Sequence, residues 1–259
     1  MRKVFWFLAI SIVGVSCNEG PSDSCEESEL DPSKRIVLIK EQDIETHFYY
    51  ACNTLIKTKI VTFTRDESWH EYKYVDDLVK ETSNLYETAT FFYDGGQLTG
   101  LGWSRSGRLV NGSYHFKYNS AGKVESLIGS SYSPGMTLTV RNKLVWNGDN
   151  VEKRIVEEEL WNKGSHTVSY DTVHYEYGDG LNPFHESIYS GYTFLRYTEA
   201  YVAPYLSKNV LLKESHQGGE YLALFQYVFD QENLPVKITE TTTNSFGSSN
   251  VLVTEIEYD

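Results

Sequence analysis

Phe116-Lys117-Tyr118-Asn119-Ser120-Ala121-Gly122-Lys123-Val124-Glu125-Ser126-Leu127-Ile128 is the stretch that decides the fold. An alternating segment ends on an aromatic residue, a run of turn formers follows, and a second alternating segment leaves it. A two-residue period puts successive side chains on opposite faces of a strand. Asn, Ser and Gly supply the local hydrogen bonds and backbone freedom that a reversal needs. The stretch is therefore a β-hairpin end.

Working outward, the same unit recurs. Phe91-Phe92-Tyr93 precedes DGGQLTGLGW, Leu144-Val145-Trp146 precedes NGDNVEKRIVEE, and Tyr175-Glu176-Tyr177 precedes GDGLNPFHESIY. Tyr227-Val228-Phe229 precedes DQENLPVKITET, and the chain ends on Ile256-Glu257-Tyr258-Asp259, the first half of another unit. The anchoring aromatics at 93, 118, 146, 177, 229 and 258 are separated by 25, 28, 31, 52 and 29 residues, so one unit is replaced or enlarged. Gly95-Gly96, Asn147-Gly148 and Asp179-Gly180 read as tight turns. In Lys153–Glu157 and Val236–Thr239 one face reads apolar and the other charged, which fits antiparallel strands with one wet face. The expected fold is all-β: an antiparallel meander of repeated β-hairpins forming a twisted or curved sheet. An irregular, partly helical insert is expected near 184–206.

That pattern resembles the β-hairpin repeats of Bacteroidetes lipoproteins without an established activity, and more loosely tyrosine–aspartate repeat proteins. Gly180-Leu181-Asn182-Pro183-Phe184 and Tyr205-Leu206-Ser207-Lys208-Asn209 are similar to the same group. The resemblance spans roughly residues 90 to 259 and implies architecture only. It brings no catalytic residue with it.

The N-terminus carries an address. Met-Arg-Lys is followed by an apolar run, Val4 to Val15, and then Ser16-Cys17. A basic start, a short apolar segment and small residues before a cut site make a secretory signal. The 12 apolar residues fall short of the roughly 20 that span a bilayer as a helix. Gly14-Val15-Ser16-Cys17 resembles the bacterial lipoprotein box, which implies lipidation of Cys17. The expected division is a signal peptide at 1–16, a lipidated acidic tether at 17–33 and a single β-repeat domain at 34–259. Residues 18–33, NEGPSDSCEESELDPS, hold six acids, two prolines and no base, a composition that cannot build a core. Acids close behind the Cys resemble a surface-export signal. Display on the bacterial outer membrane is therefore expected, with the periplasmic face as the alternative.

Removing Arg2 and Lys3 with the leader leaves 21 basic against 36 acidic residues, a net charge of −15. Such a surface repels phosphate backbones, which argues against nucleic acid as a partner. The expected partners are the membrane, through the lipid, and a glycan or surface protein. Cys25 and Cys52 are the two thiols left in an oxidising compartment, where they could pair.

The insert reads FHESIYSGYTFLRYTEAYVAPYL, and its Tyr189, Tyr192, Tyr197 and Tyr201 are candidate ligand contacts, since tyrosine rings stack on sugars or peptides at low entropic cost. The competing reading has these rings cap or fill the concave side of the sheet. Seven histidines form no zinc-binding pair on a helix, and no nucleophile elbow or phosphate-cradling loop occurs. No catalytic, metal or cofactor residue is assigned. The expected function is a non-catalytic cell-envelope protein that binds a ligand or builds a surface assembly. The alternatives are a surface glycoside hydrolase using paired carboxylates, with Asp76-Asp77 and Glu157-Glu158-Glu159 as the evident acidic clusters, and a purely architectural repeat protein.

Overall fold

The computed structural model describes residues 35–51, 54–62, 64, 66–105, 110–185 and 202–259. Sixteen strands follow one another: β1 Ile36–Glu41, β2 Ile44–Ala51, β3 Thr54–Thr62, β4 Glu67–Val75, β5 Leu78–Ser83, β6 Glu87–Asp94, β7 Gln97–Arg105 and β8 Val110–Tyr118. Then come β9 Val124–Ser133, β10 Met136–Asn147, β11 Asn150–Asn162, β12 Ser165–Leu181, β13 Asn209–His216, β14 Tyr221–Phe229, β15 Pro235–Asn244 and β16 Ser249–Tyr258. A short helix, α1 Val202–Leu206, precedes β13.

Each strand pairs antiparallel with its sequence neighbours, and β1 pairs with β16, so the sheet closes into a barrel. Ile36 sits opposite Tyr258, Ile39 opposite Ile256 and Glu41 opposite Thr254. Arg35 and Asp259 lock the seam with an ion pair at 2.7 Å. The all-β antiparallel character is as expected, but the open twisted or curved sheet is not. The terminal half unit at Ile256–Asp259 finds its other half in β1, at the opposite end of the chain. Closure removes two sheet edges that would otherwise expose unpaired backbone.

Closure has a local cause. Just past each anchoring aromatic the register slips by one residue: Val37, Ile56, Lys80, Thr99, Glu125, Glu152, Leu212 and Val236 are the extra residues. A bulge bends its strand and increases the local twist. Repeated at one end of successive hairpins, the bends curl the sheet around on itself. The anchoring rings complete the device. Six of the eight reach back to a main-chain carbonyl at the start of the preceding hairpin arm: Tyr50 to Ile36, Tyr74 to Leu55, Tyr118 to Leu98, Trp146 to Val124, Tyr177 to Val151 and Tyr258 to Pro235, at 2.6–3.0 Å. Phe229 has no hydroxyl, and Tyr227 stacked beside it donates to Leu211 instead, at 2.7 Å. Among the described residues, the strands between Tyr177 and Phe229 are β13 and β14, and the 52-residue gap also holds residues 186–201, which lie outside the described ones.

Two turns are settled by backbone geometry. Gly95 and Gly96 carry φ of +55° and +84°, the left-handed conformations that glycine tolerates best. Asp179-Gly180 is not a turn: both residues lie in β12. A Cβ on Gly180 would come within 2.8 Å of the Phe229 ring, so close packing explains this glycine.

The two faces of the wall differ in chemistry. Phe91, Leu98, Leu127, Val151 and Val173 are at most 2% exposed and belong to one apolar cluster inside the barrel. Outside, cross-strand ion pairs ring the wall: Lys40–Glu257, Lys59–Glu67, Lys73–Glu81, Lys213–Glu176 and Arg141 with Glu157 and Glu159, at 2.6–3.0 Å. A bilayer-facing barrel needs an outward apolar band about 25 Å tall, and a Lys or Arg at its midplane costs roughly 2–4 kcal/mol. Exposed apolar side chains share this wall, among them Phe92, Ile155 and Val228.

Candidate functional site: the barrel lumen

The described ends of the β12–β13 connection, Asn182–His185 and α1, pack at one end of the lumen. Asn182 Nδ2 donates to the carbonyls of Pro204 and Ser207 at 2.7 and 2.8 Å, while its Oδ1 accepts from the Phe184 amide at 3.0 Å. Ser207 is fully buried; its hydroxyl accepts from the Val151 amide at 3.0 Å and lies 2.8 Å from the Tyr177 hydroxyl. Asn150 and Asn209 exchange hydrogen bonds of 2.9 and 3.0 Å, tying the end of the insert to β11. Ala203 and Leu206 on α1 join the apolar cluster. Pro204 inside α1 fits a helix of only five residues. The base of the insert thus packs as core.

Two cavities share Pro183 and Phe184 of this connection as part of their walls. The larger, about 680 Å³, opens at the bulged end and is mostly aliphatic and aromatic, with Phe48, Leu55, Tyr74, Val79, Tyr93 and Leu98 in its wall. Arg35, Thr54, Asp77 and Gln97 are its polar members. Burial pushes the Tyr50, Tyr74 and Tyr93 hydroxyls up to about 12, so they stay neutral donors. The Tyr93 hydroxyl is buried and finds no hydrogen-bond partner among the described residues.

The smaller cavity, about 380 Å³, is charged, with Glu41, Arg154, Glu214, His216 and Glu240 in its wall. His216 bonds Glu214 through Nε2 at 3.2 Å and pairs with Asp171 through Nδ1. The Glu214 hydrogen bond, helped by the Asp171 charge, raises the His216 pKa against the opposing effect of burial. Burial, then the charges of Glu214 and Glu41, raise the pKa of Glu240. Arg154 is 6% exposed and donates to Asn142 at 3.3 Å.

Of the two acidic clusters read from the sequence, only Asp77 reaches the wall of either cavity. Tyr189, Tyr192, Tyr197 and Tyr201 lie outside the described residues, as do Cys17, Cys25 and Cys52. Asp76 and Asp77 form the β4–β5 turn at φ of +51° and +60°. Glu157 and Glu159 point outward to Arg141. The lumen acids were missed because charged residues were assigned to the wet face. Arg154 in fact points inward beside Val156 in phase, while Ile155 is 39% exposed outside. The available signal was a charge in the apolar phase of a strand: Arg154 two before Val156, Glu240 two after Ile238.

Fold and site together define a closed sixteen-stranded antiparallel barrel with a partly hollow lumen. No protein-family profile matches the chain, and no curated protein matches it by sequence. Among solved structures it is similar to a porin-like protein from Bacteroides uniformis, with 12% identity, a TM-score of 0.55, and coverage of 88% of this chain and 98% of that one. A porin-like protein from Bacteroides vulgatus aligns at 11% identity and a TM-score of 0.44, over 86% of this chain and 98% of that one. The likeness is one of fold.

Proposed function

We propose that this is a lipid-anchored, non-catalytic binding protein of the outer membrane, held there by Cys17 and carrying its ligand inside the barrel. The observation that carries the reading is the chemistry of the wall: cross-strand ion pairs outside, and a partly hollow interior with one apolar and one charged cavity. A wall of that kind belongs in water, so attachment falls to the leader and its Cys rather than to the strands. Barrels of this general design hold small ligands in their lumen. Display towards the outside, and glycan capture by Tyr189, Tyr192, Tyr197 and Tyr201, belong to the same proposal.

The decisive experiment is fractionation of full-length Cys17→Ser. The expected result is release from the membrane fraction and solubility without detergent, together with an acylated Cys17 in the mass spectrum of the parent protein. A Cys17→Ser protein that stays in the membrane and needs detergent would overturn the reading.

A further inference from the structure

We propose that the larger cavity binds a single-chain amphiphile, an acyl tail with a polar head, taken from the membrane surface to which the chain is tethered. This rests on the lipid-anchored reading above. Three observations converge on it.

The first is the cavity's chemistry and size. At about 680 Å³ it falls within the usual range of small-molecule sites, roughly 300–1,000 Å³. Its aliphatic wall, including Ile39, Leu55, Leu78, Val79 and Leu98, offers nothing to a sugar's hydroxyls and a long contact surface to methylenes. Each buried methylene contributes about 0.8 kcal/mol. The polar groups Arg35, Thr54, Asp77 and Gln97 come from the first residues of strands and from a turn at the bulged end. That arrangement suits a ligand whose tail is inside and whose head stays near the mouth.

The second is Tyr93. Six of the eight anchoring aromatics donate to a carbonyl of the neighbouring hairpin arm, and Tyr227 does so in place of Phe229. Tyr93 departs from the ring: it lines the cavity, and its buried hydroxyl has no partner among the described residues. A buried unmade hydrogen bond costs on the order of 1–3 kcal/mol, and an oxygen of the ligand would recover it once the atoms covering the hydroxyl shift.

The third is position. Arg35 and Ile36, where the chain enters β1, are themselves part of the cavity wall. Cys17 lies only 18 residues before Arg35. At no more than about 3.6 Å per residue this keeps the mouth within roughly 65 Å of the anchoring lipid. The chain thus enters the barrel at the wall of this cavity.

The experiment uses full-length Cys17→Ser protein and the fluorescent fatty acid cis-parinaric acid, with oleate and a soluble oligosaccharide as competitors. The expected result is saturable binding displaced by oleate and not by the oligosaccharide, together with uptake of the probe from phosphatidylcholine vesicles. Leu78→Trp, which fills the mouth, should weaken binding at least tenfold. Tyr93→Phe should weaken it about fivefold, the worth of one hydrogen bond. Phe92→Ser on the outer wall should leave it unchanged. Absence of saturable binding by a released, folded Cys17→Ser protein would overturn the ligand and leave the anchored-barrel reading standing. Displacement by the oligosaccharide alone would also overturn it, as would full-strength binding by both Leu78→Trp and Tyr93→Phe. Uptake of free probe without uptake from vesicles would overturn the membrane source. Retention of Cys17→Ser in the membrane would overturn the anchored-barrel reading, a result separate from any binding measurement.

Discussion

Phe91 and Phe92 are neighbours in β6, yet Phe91 is 1% exposed inside the lumen and Phe92 is 54% exposed on the outer wall. The same contrast runs around the barrel. Inward positions gather Leu127, Val140, Leu144 and Val173; outward positions gather Lys73, Glu81, Lys213 and Glu176 in cross-strand pairs. A sheet with one wet face has two ways to hide the other: pack against a second layer, or roll up around it. This chain rolls up, and its bulges set the curvature. The two walls differ in chemistry within one closed sheet. The backbone shares its fold with a porin-like protein, while the side chains turn their charged face outward.

The largest test of that contrast is the adjacent phenylalanine pair. Phe91→Ala should cost about 3–5 kcal/mol, because it empties a fully enclosed position in the core. Phe92→Ala should stay within about 0.5 kcal/mol, as for a surface site. Urea unfolding of the two variants side by side measures both. Equal effects would mean that the walls have been assigned the wrong way round.

Next in size is the β12–β13 connection. Asn182→Ala removes two donated hydrogen bonds and one accepted from the Phe184 amide, all at the neck of the insert. A loss of about 2 kcal/mol is expected, allowing about 1 kcal/mol per bond and some rescue by water. An unchanged unfolding midpoint would show that the insert is not held at its neck.

The hairpin rhythm was legible in the sequence because it is local. An alternating strand, an aromatic and a turn lie within a dozen residues, as at Phe116–Ile128. Two anchors, Tyr50 and Tyr74, escaped notice because their turns carry no Gly; at Asp76-Asp77 the left-handed conformations fall on aspartates instead. Closure was not legible, since the β1–β16 pairing joins residues more than 200 positions apart and nothing near either strand announces it. The charged cavity was hidden for a related reason. Glu41, Glu214 and Glu240 come from β1, β13 and β15, and only the rolled sheet puts them in one wall. The apolar cavity was equally distributed, drawing on strands from β1 to β8.

A smaller effect separates the anchoring rings from one another. Tyr118→Phe deletes a 2.6 Å bond to the Leu98 carbonyl and should cost about 1 kcal/mol. Tyr93→Phe deletes no bond within the described protein and should be neutral or slightly stabilising without ligand. Comparable losses in both would mean that Tyr93 has a protein partner.

The charged compartment should be visible through pH. Glu240 has a raised pKa, so its folded environment disfavours the ionised form. Its contribution to stability is fully present below the ordinary value of 4.5 and is lost as pH rises through the raised one. His216 is also raised, here because its charged form is favoured; its contribution is present below 6.5 and lost as pH rises past its folded value. Glu240→Gln should therefore flatten the decline in stability above pH 4.5, and His216→Gln the decline above pH 6.5. Melting temperatures followed from pH 4 to pH 9 would show this, and parallel curves for parent and variants would refute it.

The smallest expected effect carries the sharpest distinction between the walls. Lys73 and Glu81 pair across β4 and β5 at 2.6 Å on the outer surface, where water and salt screen the attraction and side-chain entropy opposes it. Lys73→Ala should leave the unfolding midpoint where it is, and raising the salt concentration should change the parent and the variant alike. The same substitution in a lipid-facing wall would behave differently, because deleting a charge from hydrocarbon removes a large penalty. There the variant would be markedly more stable in detergent micelles than the parent. Since Phe92 lies on the same outer wall two strands away, a Lys73→Ala result near zero together with a small Phe92→Ala effect would describe one surface consistently wet, and a marked stabilisation by Lys73→Ala would place that surface in lipid.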